Sequence, residues 1–449
     1  MNMTLGKLFG DKAKNFADLE FPSHLATDSR DVKQGSAFIA IEGEKVDGHN
    51  YIPQAIENGA ALIIARTGKA PENLNIPVIE LDNPEKDLAG VAAKKLAAHE
   101  LQEVIGVTGS VGKTTTRAAL QKVLSSRFKV HAPVRSFNTL IGCTATIMGM
   151  PLDTEILILE FGANKPGEIR ELTDYFPPTL AVLTAIEPVH LEGFKTLSGV
   201  LREKLEITNS PLIESIVYNN DNALLSEHFK YVVKSMGVGE WKDSDFVISL
   251  DNSEYNLPAM SFVLAHRPTQ EVARFTANVW GRHNVMPLAL AASVGHELGI
   301  RLQDSSDALK DFEALSGRGR IIFPEENKFI VDDAYNANPA SMKASLETFS
   351  RVQTSGKIAV LGDMLELGED KIYFHKELEP LLDGLDKVIL VGSLWREALQ
   401  DNERYIFVPD WQGGLNELRN LMNNLDWHGI LIKASQSVGL SNIVKEITA

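Results

Sequence analysis

A glycine-rich segment near residue 110 combines the residue types that bind phosphate. It reads Thr108-Gly109-Ser110-Val111-Gly112-Lys113-Thr114-Thr115. Glycines let the backbone curl so that successive N–H groups face phosphate oxygens, the ammonium of Lys113 can neutralise the outer phosphates, and the hydroxyl of Thr114 can bind Mg²⁺. The strict phosphate-loop pattern needs glycine where Val107 stands, so a structural turn is the alternative. The apolar strand before the segment and the helical sequence after it favour a phosphate site.

Two more polar side chains follow apolar strands in the same part of the chain. Glu160 ends the run from Ile156, and His190 comes shortly after the run from Leu180 to Ala185. Open α/β sheets bind ligands at the carboxyl ends of their strands, and carboxylate oxygens suit Mg²⁺. Taken alone, Glu160 would be a capping or solvated residue and His190 a structural one. Together with the phosphate-binding segment they indicate a metal site.

The chain must place these residues in an α/β fold of three domains, because 449 residues exceed what one hydrophobic core supports. We expect a small N-terminal α/β domain over residues 1–101. A central domain over 102–315 carries the phosphate loop in a mostly parallel sheet, with an antiparallel β insertion between about 238 and 280. A doubly wound, Rossmann-like domain follows over 316–449, and the glycine- and arginine-rich stretch from Ser316 to Arg320 marks a hinge.

The strands are predicted from short apolar runs bounded by turn residues. They are Ala37 to Ile41, Ala61 to Ala65, Pro77 to Leu81, Val104 to Thr108, Glu155 to Glu160, Leu180 to Ala185, Ile216 to Asn219, Phe246 to Leu250, Met260 to Leu264, Ala273 to Val279, Phe329 to Asp333, Lys357 to Leu361, Lys387 to Val391 and Ile430 to Ala434. A helix is predicted after Asn83, which suits the N-cap position and precedes Pro84. Another is predicted from about Lys113 to Ser126.

Composition excludes several classes of function. The 60 acidic residues against 44 basic ones give a net charge of −16, which repels phosphate backbones, so nucleic acid is not an expected partner. Anionic ligands must be bound by local groups. The single cysteine, Cys143, excludes an internal disulfide and a cysteine zinc cluster, and we expect it to be a buried small residue.

No segment predicts export or membrane insertion. Met1 to Gly10 lacks a basic stretch followed by a long apolar run, and no part of the sequence reaches the roughly 18 apolar residues of a membrane span. We therefore expect a cytoplasmic protein.

Motifs in all three predicted domains resemble those of the Mur ligases. They are Asp28-Ser29-Arg30, Ala37-Phe38-Ile39-Ala40 with Gly43, Asp47-Gly48-His49 and Gly59-Ala60 in the first; Thr108 to Thr116, Glu160 to Asn164 with Gly167-Glu168-Ile169, His190-Leu191-Glu192 and Gly281 to Asn284 in the second; Asp332 to Pro339 and Gly362 to Gly368 in the third. The last two are the most specific, because nothing about generic phosphate-loop proteins predicts them. The resemblance covers the whole chain.

Within that family the chain is similar to the branch that acts on a UDP-N-acetylmuramoyl tripeptide. This resemblance implies an ATP-dependent carboxylate-amine ligase that uses Mg²⁺. ATP phosphorylates the peptide carboxylate, and the amine of D-alanyl-D-alanine then attacks the acyl phosphate, in peptidoglycan precursor synthesis. Both partners are small molecules, and we expect the protein to act as a monomer.

The resemblance also implies roles for individual residues. Lys113, His190 and Lys204 would be catalytic, and Thr114, Glu160, His190 and Lys204 would bind metal, Lys204 as a carbamylated side chain. Nucleotide-binding residues would be Thr108, Gly109, Ser110, Val111, Gly112, Lys113, Thr114, Thr115, His283, Asn284, Arg318, Asp333, Tyr335 and Asn336. Substrate-binding residues would be Ser29, Arg30, Gly43, Asp47, His49 and Asn138. For Lys204 the alternative is a helix-surface lysine that pairs with neighbouring acids.

Several positions depart from the family pattern. Only Asn138 is clearly retained of an asparagine-rich stretch that here reads Ser136-Phe137-Asn138-Thr139. Ala185 and Pro287 replace asparagines, and Glu187 replaces a glycine. Gln436 replaces an arginine, which removes a bidentate partner for a carboxylate or phosphate.

Two other functions remain open at this level. One is a ligase of the same fold that adds another amine, as a diaminopimelate, lysine or folylpolyglutamate ligase does, although the first domain argues against the folate enzyme. The other is a non-catalytic relative that binds nucleotide and UDP-sugar, a reading motivated by the departures.

Overall fold

The protein is described here by a computed structural model. It describes residues 4–43, 46–250 and 260–448. Part of the predicted β insertion, residues 251–259, lies outside this range. Within it, no helix is both long and apolar enough to cross a bilayer.

The N-terminal part of the chain folds around a four-stranded parallel sheet in the order β1-β2-β3-β4. The strands are β1 Leu25–Ala26, β2 Ser36–Ile39, β3 Ala60–Arg66 and β4 Val78–Leu81, and the helices are α1 Leu5–Phe9, α2 Ile52–Glu57 and α3 Pro84–Ala97. Helix α3 begins as predicted, since the Asn83 side chain accepts a hydrogen bond from the N–H of Lys86 at 3.2 Å. Its Lys95 donates to the carbonyls of Met148 and Met150 at 2.8 and 3.0 Å, which joins this part to the next.

The central part contains a nine-stranded sheet in the described residues, in the order β13-β12-β11-β10-β9-β8-β5-β7-β6. Its strands are β5 Glu103–Thr108, β6 Val130–His131, β7 Ile156–Glu160, β8 Leu180–Leu183, β9 Ser215–Asn219, β10 Ser235–Gly239, β11 Phe246–Leu250, β12 Met260–His266 and β13 Glu271–Ala277. Its helices are α4 Lys113–Leu124, α5 Leu140–Met148, α6 Glu168–Tyr175, α7 Leu191–Phe194, α8 Leu197–Leu205, α9 Ala223–Phe229, α10 Val285–Glu297 and α11 Leu302–Leu309. Strand β7 is buried along its whole length, as expected for a parallel strand covered on both faces.

The strands predicted as an antiparallel insertion extend this same sheet. Strand β10 pairs in parallel with β9 and β11, and only β11, β12 and β13 pair antiparallel. Along β13 buried and exposed side chains alternate, which is typical of a strand with one solvated face. The insertion is therefore an edge of the central sheet.

The C-terminal part has a six-stranded sheet in the order β14-β15-β19-β16-β17-β18, with β14 antiparallel and the others parallel. The strands are β14 Arg320–Glu325, β15 Lys328–Asp333, β16 Lys357–Gly362, β17 Lys387–Val391, β18 Tyr405–Val408 and β19 Gly429–Lys433; the helices are α12 Pro339–Arg351, α13 Lys371–Lys376, α14 Ser393–Ala398, α15 Trp411–Asn424 and α16 Ser441–Thr448. Apolar clusters lie on both faces of the sheet. This is the predicted doubly wound arrangement.

The turn after β16 is fixed by a carboxylate. Asp363 accepts hydrogen bonds from the N–H groups of Leu394 and Trp395, both at 3.2 Å. These groups belong to the first turn of α14, whose N-cap, Gly392, has no side chain to cap it. Asp363 thus replaces the missing cap from a neighbouring loop.

We expect Asp363→Ala to lower the free energy of unfolding by about 1 to 2 kcal/mol, because it leaves two N–H groups of a helix end without their acceptor. Thermal and denaturant unfolding followed by tryptophan fluorescence would measure the loss. The control is Asp383→Ala, which removes a surface ion pair with Arg404 and should change stability by less than about 0.5 kcal/mol. Equal effects of the two substitutions would contradict the capping role.

Candidate functional site

The phosphate loop lies between the end of β5 and the start of α4. Two of its glycines have positive φ, 145° at Gly109 and 83° at Gly112. A Cβ on Gly109 would lie 2.0 Å from Oγ1 of Thr184, so the loop packs on the segment after β8 more closely than any side chain permits. The N-cap of α4 is Gly112, without a side-chain cap. The first N–H groups of α4 are therefore available to a phosphate.

The segment after β8 braces the loop mainly through its backbone. The N–H of Ser110 donates to the carbonyl of Ala185 at 2.7 Å. The Ser110 hydroxyl donates to the carbonyl of Glu187 at 3.0 Å and accepts from the Glu187 N–H at 2.9 Å. Substitution of the usual asparagine by Ala185 and of the usual glycine by Glu187 leaves these contacts in place.

Lys113 folds back over the loop. Its Nζ donates to the carbonyls of Gly109 at 2.7 Å and Ser110 at 3.3 Å. Burial lowers the pKa of Lys113 to about 8, with Glu160 opposing the shift and Arg318 adding to it. At neutral pH most Lys113 side chains carry a charge, and a phosphate would stabilise that charge.

Glu160 is the centre of a buried group of oxygens. It is 1% exposed, and both its carboxylate oxygens accept from Oγ1 of Thr114 at 3.1 Å. The hydroxyl of Ser136 donates to Glu160 at 2.9 Å, and the amide of Asn138 donates at 3.5 Å. Strand order explains the cluster, because β5 is flanked by β7 and β8 and all three end at the same edge. The predicted pair Thr114 and Glu160 is thus brought together, and Asn138 belongs with it.

His190 follows β8, which flanks β5 on the side opposite to β7 and Glu160. Its Nδ1 is hydrogen-bonded to a carboxylate oxygen of Glu366, a residue from the turn after β16 in the C-terminal part. Burial lowers the pKa of His190, and the Glu366 carboxylate opposes that shift. The described residues do not place three or more His, Cys, Asp or Glu side chains around one point.

Lys204 is a buried side chain of α8, only 1% exposed. Its Nζ lies 5.8 Å from the ring centre of Phe194. The acid beside it is engaged elsewhere, since the Glu203 carboxylate accepts from the N–H groups of Gly167 and Ile169 at 2.8 and 2.7 Å. Burial lowers the pKa of Lys204 to about 7, and Lys113 lowers it further while Glu203 opposes the shift. A surface lysine in a local ion pair, the alternative considered from sequence, is excluded.

Part of this group lines a cavity of 330 Å³, which we call the reaction cavity, whereas Thr114, Ser136, Glu160 and Glu366 do not line it. Among its lining residues are Ser110, Lys113, His190 and Lys204. Glu85 and Lys86 at the start of α3 and Glu171 of α6 also line it, so the N-terminal part of the chain contributes to the cavity wall.

A second cavity of 440 Å³ lies on the other side of the loop, and we call it the nucleotide cavity. Its lining includes the predicted residues Ser110, Val111, Gly112, Thr115, His283, Asn284, Arg318, Asp333 and Asn336. Burial lowers the pKa of His283 to about 4, so its ring is neutral, and its buried Nδ1 has no hydrogen-bond partner in the described part of the chain. An unpaired buried nitrogen is costly and fits a hydrogen bond to a ligand.

The hinge and the C-terminal sheet close this second cavity. The Arg318 guanidinium stacks on the ring of Tyr335, 3.9 Å from its centre. Asp333 pairs with Lys433 at 2.8 Å, in a contact that is almost fully buried, and accepts from the hydroxyl of Ser345 at 2.5 Å. Lys433 also donates to the carbonyl of Asn336 at 3.1 Å. Tyr335 therefore acts on the cavity through Arg318, and Lys433 holds Asp333 and Asn336.

The predicted substrate-binding residues of the first part, from Ser29 to His49, line neither cavity. Arg30 is exposed and pairs with Asp28. Both ring nitrogens of His49 are used locally, Nδ1 with Asp47 at 2.6 Å and Nε2 with the N–H of Arg66 at 3.1 Å. Ser29 and Gly43 also form hydrogen bonds within the N-terminal part. The Ser29 hydroxyl donates to Gln54 at 2.7 Å, and the Gly43 N–H donates to the carbonyl of Val46 at 2.9 Å.

Sequence reasoning missed four residues of the site. Glu366 lies in the Gly362 to Gly368 motif and Lys433 in a predicted strand, but neither was given a role, and Ser136 was noted only as a departure. Glu85 had a signal in the predicted start of α3 beside Asn83, because helix N-termini in α/β proteins often face ligands.

Three family models match successive parts of the chain between residues 23 and 435. They are described as Mur ligase family, catalytic domain, over residues 23–106; Mur ligase middle domain, over 107–295; and Mur ligase, glutamate ligase domain, over 317–435.

Individual relatives agree with the models. The UDP-N-acetylmuramoyl-tripeptide–D-alanyl-D-alanine ligase of Bacillus subtilis is 32% identical over 441 residues, which cover 94% of this chain and 92% of that protein. The crystal structure of MurF from Acinetobacter baumannii has a TM-score of 0.84 at 25% identity and covers 100% of this chain and 99% of its own. MurF ligase from Thermotoga maritima, in complex with ADP, has a TM-score of 0.79 at 27% identity, with 95% and 98% covered.

We expect the Lys204 amine to titrate with a midpoint near pH 7, because its burial disfavours the ammonium. The measurement is the ¹³Cε chemical shift of labelled lysine in CO₂-free buffer, with Lys204→Arg to assign the signal. Lys129 is the control, since its surface pairing with Asp153 raises its pKa. A Lys204 midpoint close to the ordinary lysine value of about 10.4 would contradict the described environment.

Proposed function

The chain belongs to the Mur ligase family, and we propose that it joins D-alanyl-D-alanine to the carboxylate of a UDP-N-acetylmuramoyl tripeptide. The reaction consumes ATP, forms ADP and phosphate, and serves peptidoglycan precursor synthesis. Relatives named for this activity match almost the full length of the chain.

One observation carries the proposal: the phosphate loop separates the two cavities, and Ser110 lines both. Gly112 and Thr115 face the nucleotide cavity, whereas Lys113 faces the reaction cavity. A nucleotide bound on one side would therefore present its terminal phosphate to an acceptor on the other side. That geometry fits phosphoryl transfer between two bound substrates.

In the first step a carboxylate oxygen of the tripeptide attacks the γ-phosphorus of ATP. The bond between that phosphorus and the oxygen bridging to the β-phosphate breaks, and ADP leaves. Lys113 neutralises charge on the transferring group, and the N–H groups at the start of α4 orient the phosphates. Phosphorylation is needed because a carboxylate is a poor electrophile for an amine.

In the second step the amine nitrogen attacks the acyl carbon. The C–N bond forms, the amine loses a proton, and inorganic phosphate leaves with the electrons of the C–O bond. Arg318, Asp333 and Asn336 come from the hinge and the C-terminal part, so closure of that part would complete the site and exclude water from the acyl phosphate. Tyr335 would support Arg318 by stacking.

The oxygen groups around Glu160 fit Mg²⁺. A buried carboxylate surrounded by hydroxyl and amide groups supplies the hard oxygen ligands that Mg²⁺ prefers. Thr114 and Glu160 would hold one ion beside the loop, and His190 with Lys204 would hold another. Bound there, Mg²⁺ would neutralise the phosphate oxygens and act as a Lewis acid.

Lys204 suits carbamylation, which converts an amine into an acidic metal ligand. The reaction of an amine with CO₂ needs its neutral form, and the lowered pKa of Lys204 provides that form at neutral pH. The product is an anion, which would relieve the repulsion between Lys204 and Lys113.

We assign the UDP end of the substrate to a first domain over 1–101, with ATP bound by a domain over 102–315 and closure by a domain over 316–449. The sheets of the three parts lie within these bounds. Ser29, Arg30, Gly43, Asp47 and His49 would contact or shape the UDP site. We also propose that the protein acts as a monomer and that it acts in the cytoplasm.

A second candidate is a Mur ligase that adds another amine. It is favoured by Gln436, an exposed side chain where the family usually has arginine, because loss of a guanidinium weakens recognition of a carboxylate.

We expect phosphate release from ATP with Mg²⁺ and UDP-N-acetylmuramoyl tripeptide to require D-alanyl-D-alanine. A panel of amines that includes diaminopimelate, lysine and glutamate measures the choice. Release with another amine alone would favour the second candidate, and no release with any amine would contradict ligase activity.

Lys113→Ala serves as the loss-of-function variant in this assay and should fall below about 1% of the wild-type rate, because the transferring phosphate loses its counter-charge. Lys129→Ala, which removes an exposed lysine, is the matched control and should leave the rate unchanged. Activity retained in Lys113→Ala would refute the assignment of the phosphate loop.

We expect Lys204→Ala to lose activity by at least about 100-fold and to regain part of it in high bicarbonate, because a small anion can enter the space left by the side chain. Lys204→Arg keeps a positive charge that cannot be carbamylated and should not respond. Full activity of Lys204→Arg, together with no rescue of Lys204→Ala, would exclude carbamylation as its role.

A further inference from the structure

One side chain of the C-terminal part, outside the predicted site, contacts a residue that lines the reaction cavity. Glu366 lies in the turn after β16 and contacts Nδ1 of His190, which lies 176 residues earlier in the chain. His190 lines the reaction cavity. The two residues come from different sheets, so this contact exists only when the C-terminal part lies against the central part.

Both residues have a strained backbone. The φ angle is 50° at His190 and 61° at Glu366, a left-handed conformation that is unfavourable for a residue with a side chain. Each is held by its own part of the protein. The carbonyl of His190 accepts from Gly193 and Phe194 at 2.9 and 3.0 Å, and the N–H of Leu365, next to Glu366, donates to Ser435 at 2.9 Å. Because the backbone is strained on both sides of this contact, we infer that the orientation of the two side chains is important for the site.

The contact is too weak for its main role to be holding the two domains together. The Glu366 side chain is 57% exposed and that of His190 29% exposed. Exposed ion pairs contribute little to stability, too little to hold two domains together. The effect of the contact on the imidazole is therefore more consequential than its effect on stability.

We propose that Glu366 is a positioning residue that fixes the tautomer and direction of His190 and so makes its metal-binding nitrogen available only in the closed arrangement. The carboxylate accepts a hydrogen bond from Nδ1–H, which leaves the lone pair of Nε2 directed away from Glu366. Metal-binding histidines commonly depend on such a carboxylate behind the ring. The inference rests on the proposed role of His190 and couples domain closure to metal binding.

The first test follows the ring itself. In ¹⁵N-histidine-labelled protein, His190 should be protonated on Nδ1 in the wild type and should populate the Nε2–H form in Glu366→Ala. Glu366→Gln retains an oxygen acceptor and should keep the wild-type tautomer. Glu369→Ala changes an exposed acid of the same turn and is the matched control, expected to match the wild type.

The second test uses Mn²⁺ as the probe, with a non-hydrolysable ATP analogue and no peptide substrate. Electron paramagnetic resonance should show Mn²⁺ affinity weakened by about 10-fold or more in Glu366→Ala, less in Glu366→Gln and not at all in Glu369→Ala. An unchanged tautomer or an unchanged affinity in a folded Glu366→Ala protein would overturn the proposal. Neither readout depends on the amine, so failure of the proposed ligase reaction would be recognised separately by the phosphate-release assay.

Discussion

Close packing at Gly109 is the constraint on which the site depends. The missing side chain lets the phosphate loop contact Thr184 and the carbonyl of Ala185, and any larger residue would push the loop away from β8. Because β5 lies between β7 and β8, Glu160 and His190 come from the segments that flank the loop on its two sides. Ser110 of the loop lines both cavities, and the proposed transfer of a phosphoryl group depends on this arrangement.

The second constraint is electrostatic. Because the protein has a net charge of −16, it must attract anionic substrates through positive charges close to the binding site. Here these charges belong to Lys113 and Lys204. Burial lowers the pKa of both, and the charge of Lys113 also lowers the pKa of Lys204. An anionic ligand, or an anionic form of Lys204, would relieve this repulsion. Repulsion between the two side chains therefore favours binding of an anion over the empty site.

Sequence patterns that span only a few residues predicted much of the secondary structure and the phosphate loop. The strand runs, the Asn83 cap and the phosphate loop depend on residues a few positions apart, and the structure contains all of them with ends shifted by one or two residues. The contacts that complete the site join distant residues, Glu366 with His190 and Lys433 with Asp333. No local pattern specifies such pairs. Residues of one motif can also have different roles. Asp363 caps a helix, whereas Glu366, three residues later, contacts His190.

The departures from the family pattern also fall into two groups, those whose contacts use backbone atoms and one that affects a side-chain contact. Ala185 and Glu187 contact the loop through backbone atoms, and Pro287 lies in the first turn of α10, where a backbone N–H has no partner within the helix and proline is tolerated. These substitutions leave the backbone of the phosphate loop and of α10 in place. Gln436 differs, since it is exposed at the start of a short 3-10 helix and lacks the guanidinium that the family usually has there. Among these departures, Gln436 is therefore the one that removes a side-chain partner for a carboxylate or phosphate.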